Sequence, residues 1–224
     1  MSALNRREAL LAAGATGLGA ALGVRGLLSP RDAGAASCLL QREVTEGPYY
    51  LDLDLVRRNI KGGRTGTPLT LRFQVVDATT CKPIRNAAVE IWHTDADGEY
   101  SGVEGNGGTW LRGIQRTGAS GRVRFETIFP GWYRGRTPHV HMKVFVSGDE
   151  VHTGQVFFRR AATRAVYGQG RYAARGQADM TNREDMIYRE AGSRALLDLR
   201  RKGSRIAAGY TGSLTIGVNR SGGR

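Results

Sequence analysis

The sequence predicts an all-β fold, a β-sandwich of short mixed and antiparallel strands with long loops. Apolar and polar residues alternate in short runs between Leu69 and Val218, the period of strands with one buried face. Turn chemistry interrupts these runs roughly every ten residues, as in a sandwich. Glycine outnumbers proline 32 to 6, which suits a turn-rich β-protein.

The elements follow in order. Thr45-Glu46-Gly47-Pro48-Tyr49-Tyr50 is an irregular aromatic segment, and residues 52–66 are charged, glycine-rich loop. Leu69 to Val76 alternates cleanly and reads as a half-buried strand. Asp77 to Pro83 is a turn, Ala88 to His93 a second strand, and Asp95-Ala96-Asp97-Gly98 a strong turn that delivers Tyr100. Leu111 to Thr117 and Arg122 to Ile128 are two strands whose short Gly118–Gly121 connection predicts a hairpin. A strand opened by Pro138 runs to Val146, and His152 to Phe158 forms the next. Residues 160–210 are ambiguous, with room for a helical turn or two within 183–199, and Ser213 to Val218 closes the fold. No repeat or linker divides the chain after its first 36 residues, so 37–224 is expected to be one domain.

Residues 1–36 read as an address. Arg6-Arg7 precedes a modest Ala/Gly-rich apolar stretch and small residues around Ala33–Ala36, the pattern of a twin-arginine export signal. Glycines and Arg25 interrupt the stretch, so no stable membrane span is expected after processing. The expected location is extracellular or in the cell envelope. An amphipathic helix on a cytosolic protein is the alternative. In an oxidising compartment Cys38 and Cys81 are expected to form a disulfide, with a lipid-modified Cys38 as the other option.

The net charge is +13, and removal of residues 1–36, with four arginines and two acids, leaves +11. The arginines are scattered along the sequence and accompany no nucleic-acid motif, so a solvated basic surface is expected and no nucleic-acid partner.

The chemistry concentrates in residues 129–146. Two of the four histidines, His139 and His141, lie one residue apart on a strand and therefore share a face. Two imidazoles so placed can hold one ion, but spacing alone leaves several metals open. Zinc would want a third His, Cys or carboxylate, and a facial-triad ferrous site would want a carboxylate where Val140 stands.

Four stretches in order narrow the choice: residues 45–50, Ile91 to Gly102, Leu111 to Gln115, and Pro130-Gly131-Trp132-Tyr133-Arg134-Gly135-Arg136-Thr137-Pro138-His139-Val140-His141. Together they resemble the intradiol ring-cleavage dioxygenases, most of all the secreted single-domain branch akin to the protocatechuate 3,4-dioxygenase β-subunit. The likeness covers roughly residues 38–160. It implies mononuclear ferric iron, Fe(3+), held by Tyr100, Tyr133, His139 and His141. It also implies that Tyr133 is the axial tyrosinate displaced by substrate, taking up a proton. Arg136 matches the family's active-site arginine, and Gln155 a glutamine that lies against substrate. The implied substrates are O2 and a catechol-type diol, of catechol, hydroxyquinol or protocatechuate type, cleaved between its hydroxyl-bearing carbons to a muconate-type diacid. The long amino-terminal helical region of the dimeric catechol 1,2-dioxygenases has no counterpart here, so that dimer is not implied. His93 and His152 are expected to be structural or surface residues, Trp92 and Trp132 core or pocket wall, and Tyr49 and Tyr50 candidates for the mouth of the site. A non-enzymatic adhesive β-sandwich and a zinc hydrolase built on the two histidines are the competing readings.

Overall fold

The computed structural model describes residues 38–220; the expected export signal, residues 1–36, lies outside them. Eight strands form two four-stranded sheets: β1 (Pro68–Asp77), β2 (Ala88–Trp92), β3 (Arg112–Arg116), β4 (Arg122–Ile128), β5 (His139–Val146), β6 (Asp149–Phe157), β7 (Asp198–Arg201) and β8 (Tyr210–Val218). The first sheet has the order β4-β1-β8-β7 and the second β3-β2-β5-β6. Pairing is antiparallel except between β1 and β8, which run parallel. The expected sandwich of mixed strands is therefore the fold.

Alternation explains how the layers meet. Leu69, Leu71, Phe73 and Val75 of β1 face the core, as do Val123 and Phe125 of β4, while Val140, Met142 and Val144 of β5 meet them from the second sheet. Each such side chain, taken out of water, contributes roughly 1.5–3 kcal/mol.

One sequence expectation is corrected. β3 and β4 do not form a hairpin: β3 pairs with β2 and β4 with β1, so residues 117–121 cross from one sheet to the other. The turn ends on the Val75 N–H bond to the Gly121 carbonyl (2.8 Å), which captures the chain for the first sheet. A short connection reports a reversal, not which sheet receives the next strand. The ambiguous stretch holds helical turns within 183–199, as expected, and further elements besides. It contains α1 (Arg160–Tyr167), α2 (Gly170–Ala173), α3 (Met186–Ala191), and the edge strand β7, which its run Asp-Leu-Arg-Arg did not signal.

These helices position a loop. Tyr167 and Tyr172 are buried and donate hydrogen bonds to the carbonyls of Pro130 (2.9 Å) and Phe129 (2.6 Å). The chain leading to Tyr133 is thereby held from the helical side.

Cys38 and Cys81 form a disulfide. It anchors the start of the described chain where Leu40 bridges Gly217 and Gln41 N–H bonds the Gly217 carbonyl (2.8 Å). The cysteines are 43 positions apart, for which the chain-entropy relation gives about 4 kcal/mol. Replacing both by serine is expected to lower unfolding stability by about that amount in urea titrations, with an unchanged far-ultraviolet spectrum before the transition.

Candidate active site

The site lies on the face of the second sheet turned away from the sandwich core. His139 and His141 point there from β5 and are buried, while Val140 between them enters the core. On the neighbouring strands Trp92 opposes His141 from β2 and Gln155 opposes it from β6. Trp92 stacks on the His141 ring, centroids 4.9 Å apart and planes 9° from parallel.

The two tyrosines arrive on loops that are clamped together. Asp95 Oδ1 accepts the N–H groups of Asp97 (2.9 Å) and Glu99 (3.1 Å), closing the turn before Tyr100. The Asp95 carbonyl accepts the Gly131 N–H (2.7 Å), two residues before Tyr133, and Thr94 donates to the Gly131 carbonyl (2.7 Å). A Cβ on Gly131 would sit 2.5 Å from the carbonyl oxygens of both Asp95 and Ala96, so only glycine lets the loops approach this closely.

Four donor atoms converge. Tyr100 Oη lies 2.8 Å from His141 Nε2 and 3.4 Å from His139 Nε2. The two Nε2 atoms are 3.0 Å apart, and Tyr133 Oη is 3.4 Å from His139 Nε2. His139 Nδ1 faces the Thr137 carbonyl at 2.7 Å; a carbonyl only accepts, so Nδ1 carries the proton and Nε2 presents a lone pair. His141 Nδ1 is buried and has no hydrogen-bond partner among the described residues. The Gly47 backbone passes over that ring, close enough that a Cβ would meet Cε1 at 3.2 Å.

Burial sets the charge state. It pushes His139 down to about 3, with the Arg136 guanidinium adding to the effect, and holds His141 well below the usual histidine range, with His139 adding. Both rings are neutral at pH 7. Burial likewise raises the Tyr100 and Tyr133 phenols. The two Nε2 atoms facing each other beside two phenol oxygens fit a cation bonded at about 2 Å to each, since such donors lie roughly 3 Å from one another. Among the described residues no third His, Cys, Asp or Glu joins them, so the donor set reaches four only through its tyrosines.

Arg136 borders the cluster. Its guanidinium donates to Gln155 Oε1 (2.6 Å), Asp185 Oδ2 (2.8 Å) and Tyr133 Oη (3.4 Å). Gln155 donates in turn to the Thr45 carbonyl (2.9 Å), tying the Thr45–Tyr50 segment to the site. The structure thus brings Tyr100, Tyr133, Arg136, His139, His141 and Gln155 together.

Asp185 was not legible as a site residue. Its fully buried carboxylate binds Arg136 and the Thr137 N–H (2.9 Å), and caps α3 through the N–H groups of Ile187 and Tyr188. Burial alone would raise this carboxyl; the bonds from Arg136 and Thr137 outweigh it and the net shift is down. An aspartate preceding a helical run is a recognisable N-cap, but the sequence carries no sign of its partners Arg136 and Thr137 in the loop before β5. Buried Arg112 was missed as well; it donates to the Tyr49 carbonyl (2.8 Å) and the Ser101 carbonyl (2.7 Å). Tyr49 stacks on Tyr100 at 4.6 Å and meets Tyr133 edge-on, so it walls the site. Tyr50 packs on Trp92 and bonds buried Glu90 (3.1 Å). Trp132 is half-buried beneath Arg175.

Fold and site together describe a β-sandwich with a buried tyrosine–histidine cluster. Residues 45–175 match the family described as "Dioxygenase". A solved intradiol ring-cleavage dioxygenase from Tetranychus urticae is 34% identical, with a TM-score of 0.77 over 82% of this chain and 96% of that one. The chlorocatechol 1,2-dioxygenase of Cupriavidus pinatubonensis is 31% identical over 134 residues, which is 50% of this chain and 52% of the relative. The protocatechuate 3,4-dioxygenase beta chain of Burkholderia cepacia is 33% identical over 109 residues, 42% of this chain and 46% of the relative. This chain belongs to the intradiol ring-cleavage dioxygenase family. It spans about half the length of the curated relatives it matches.

The two other histidines are structural. His93 is buried between the Thr94 carbonyl and Thr127 Oγ1, both at 2.7 Å, and His152 is buried with Nε2 unpartnered among the described residues. Burial lowers both to about 4. Unfolded histidine titrates near 6.5, so between these values the unfolded chain binds more protons. Their contribution is complete above pH 6.5 and declines as pH falls toward 4, by up to roughly 3 kcal/mol each. Urea titrations from pH 7 to pH 4.5 are expected to show this decline. The steepest part of the slope should be shallower in His152→Leu by about 1.4 kcal/mol per pH unit.

Proposed function

We propose that the protein is an exported non-haem Fe(3+) dioxygenase. It cleaves catechol-type diols between the two hydroxyl-bearing carbons, and both atoms of O2 enter the resulting muconate-type diacid. One observation carries this reading: the oxygens of Tyr100 and Tyr133 and the Nε2 atoms of His139 and His141 converge with contacts of 2.8–3.4 Å. Family membership supports the reaction, and relatives named for catechol, chlorocatechol, 6-chlorohydroxyquinol and protocatechuate support the substrate class.

Two hard phenolate donors beside two neutral imidazoles suit ferric iron. Iron held by these four residues would supply a Lewis acid suited to a diol dianion, whose electron-rich ring can react with O2. The remaining work falls to the chain. Tyr133 is less buried than Tyr100, and Arg136 reaches its oxygen, so it is the phenolate placed to leave for substrate and take up a catechol proton there. The Arg136 guanidinium, fixed by Asp185 and Gln155, faces the negative charge that develops on ring and oxygen. Tyr49 and Trp92 wall the site and limit water. Export through residues 1–36 accords with the Cys38–Cys81 disulfide, since such bonds persist in oxidising compartments.

The purified folded protein is expected to contain iron, to show a tyrosinate-to-iron charge-transfer band, and to convert catechol and O2 to the intradiol diacid. Tyr100→Phe and Tyr133→Phe should each lose or shift the band. Arg136→Gln should keep iron and colour while turnover falls by about 10²-fold, as for loss of one preorganised charge donor. A folded protein that binds no iron, or an extradiol product, would refute the assignment. Arg6→Lys with Arg7→Lys should abolish export of a reporter fused after residue 36; undiminished export would rule out the twin-arginine route.

A further inference from the structure

The arginines that look scattered in the sequence are gathered by the fold. Strand alternation sends Arg72 of β1 and Arg122 and Arg124 of β4 outward from the first sheet, opposite in direction to Phe73 and Val123. With Arg116 from the end of β3 and Arg194 beyond α3, they line an open groove of about 1080 Å³ across that sheet. This layer carries none of the donors of the tyrosine–histidine cluster.

The groove concentrates positive charge with few carboxylates to match it. Arg72 and Arg124 are direct cross-strand partners, an arrangement that destabilises a sheet when the charges are alike. Glu126 reaches Arg124 (3.0 Å) and Arg58 (3.8 Å), whereas among the described residues no carboxylate forms an ion pair with Arg72, Arg116, Arg122 or Arg194. Asp198, the one acidic residue among those lining the groove, pairs with Arg200 at 3.1 Å. Lys202 beside it donates to Thr70 Oγ1 (2.7 Å), and its ammonium is pushed down by burial and then by Arg124 and Arg72. The Arg124 Nε is buried with no hydrogen-bond partner among the described residues.

We propose that this groove docks a linear polyuronate, a polysaccharide bearing one carboxylate on each sugar ring. Guanidinium forks match carboxylates bidentately. Adjacent strands repeat at about 4.8 Å, a spacing on the scale of a sugar ring, so a chain with regularly repeated carboxylates can engage arginines on several strands. A single small anion would leave most of them unmatched. Between the arginines lie Gln74, Ser213 and Thr215, neutral groups suited to sugar hydroxyls. Single-stranded nucleic acid is disfavoured because Phe73, the groove's one aromatic ring, is buried at 1% exposure and offers no stacking face.

The test is calorimetric titration of the whole protein with de-esterified polygalacturonate, its methyl ester and poly-dT. Polygalacturonate should bind, weaken with added salt, and bind at least about tenfold more weakly to Arg72→Gln/Arg124→Gln. The methyl ester should not bind, and Arg159→Gln/Arg160→Gln, outside the groove, should bind polygalacturonate like the parent. The double variant removes a like-charge pair together with the solvent-exposed Arg124–Glu126 ion pair, so its melting temperature should stay close to the parent's, which separates lost binding from lost folding. The proposal is overturned by absence of binding, by equal affinity in Arg72→Gln/Arg124→Gln, by equal binding of the methyl ester, or by tighter binding of poly-dT. None of these outcomes depends on iron or on catechol turnover.

Discussion

Strand β5 serves two layers at once, and the rest of the structure depends on that. His139 and His141 turn to the cluster, while Val140, Met142 and Val144 enter the sandwich core. Because the side-chain period of a strand is two, a slip of one residue would exchange imidazoles for valines. β5 is also an inner strand, held by β2 on one side and β6 on the other, so its register is fixed twice. The aliphatic half of the strand therefore stabilises the register on which the two histidines rely.

Neutral imidazoles in an apolar setting are a second consequence. His139 and His141 are desolvated by the same packing that positions them, which keeps their lone pairs free at physiological pH. The tyrosines cannot come from β5 and arrive on loops, which lack a ladder to hold them. Their precision comes from the bond between Asp95 and Gly131, from the Tyr167 and Tyr172 hydroxyls on the carbonyls of Pro130 and Phe129, and from stacking of Tyr49 on Tyr100. The helical segment after β6 is thus part of the site's support, and Asp185 extends that support to Arg136.

The two sheets divide the chemistry between them. The second carries buried, charge-neutral donors and is covered by loops. The first exposes a row of guanidiniums on its outer face, including the like-charged pair Arg72 and Arg124. Such a pair lowers the stability of the free sheet, and an anionic chain laid across it would relieve the repulsion.

Sequence by itself determined the sandwich class, seven of the strands, the shared face of His139 and His141, and the motif that groups Tyr133, Arg136 and the histidines within nine residues. Those features are local: alternation and turn residues act over a few positions, and the motif is contiguous. The tertiary structure alone decided that β4 leaves β3 for the other sheet, that Asp185 meets Arg136 across 49 positions, and that dispersed arginines share one groove. Each of these depends on which strands pair and what packs above them. That choice is made by burial summed over the whole core, and no window of sequence contains it.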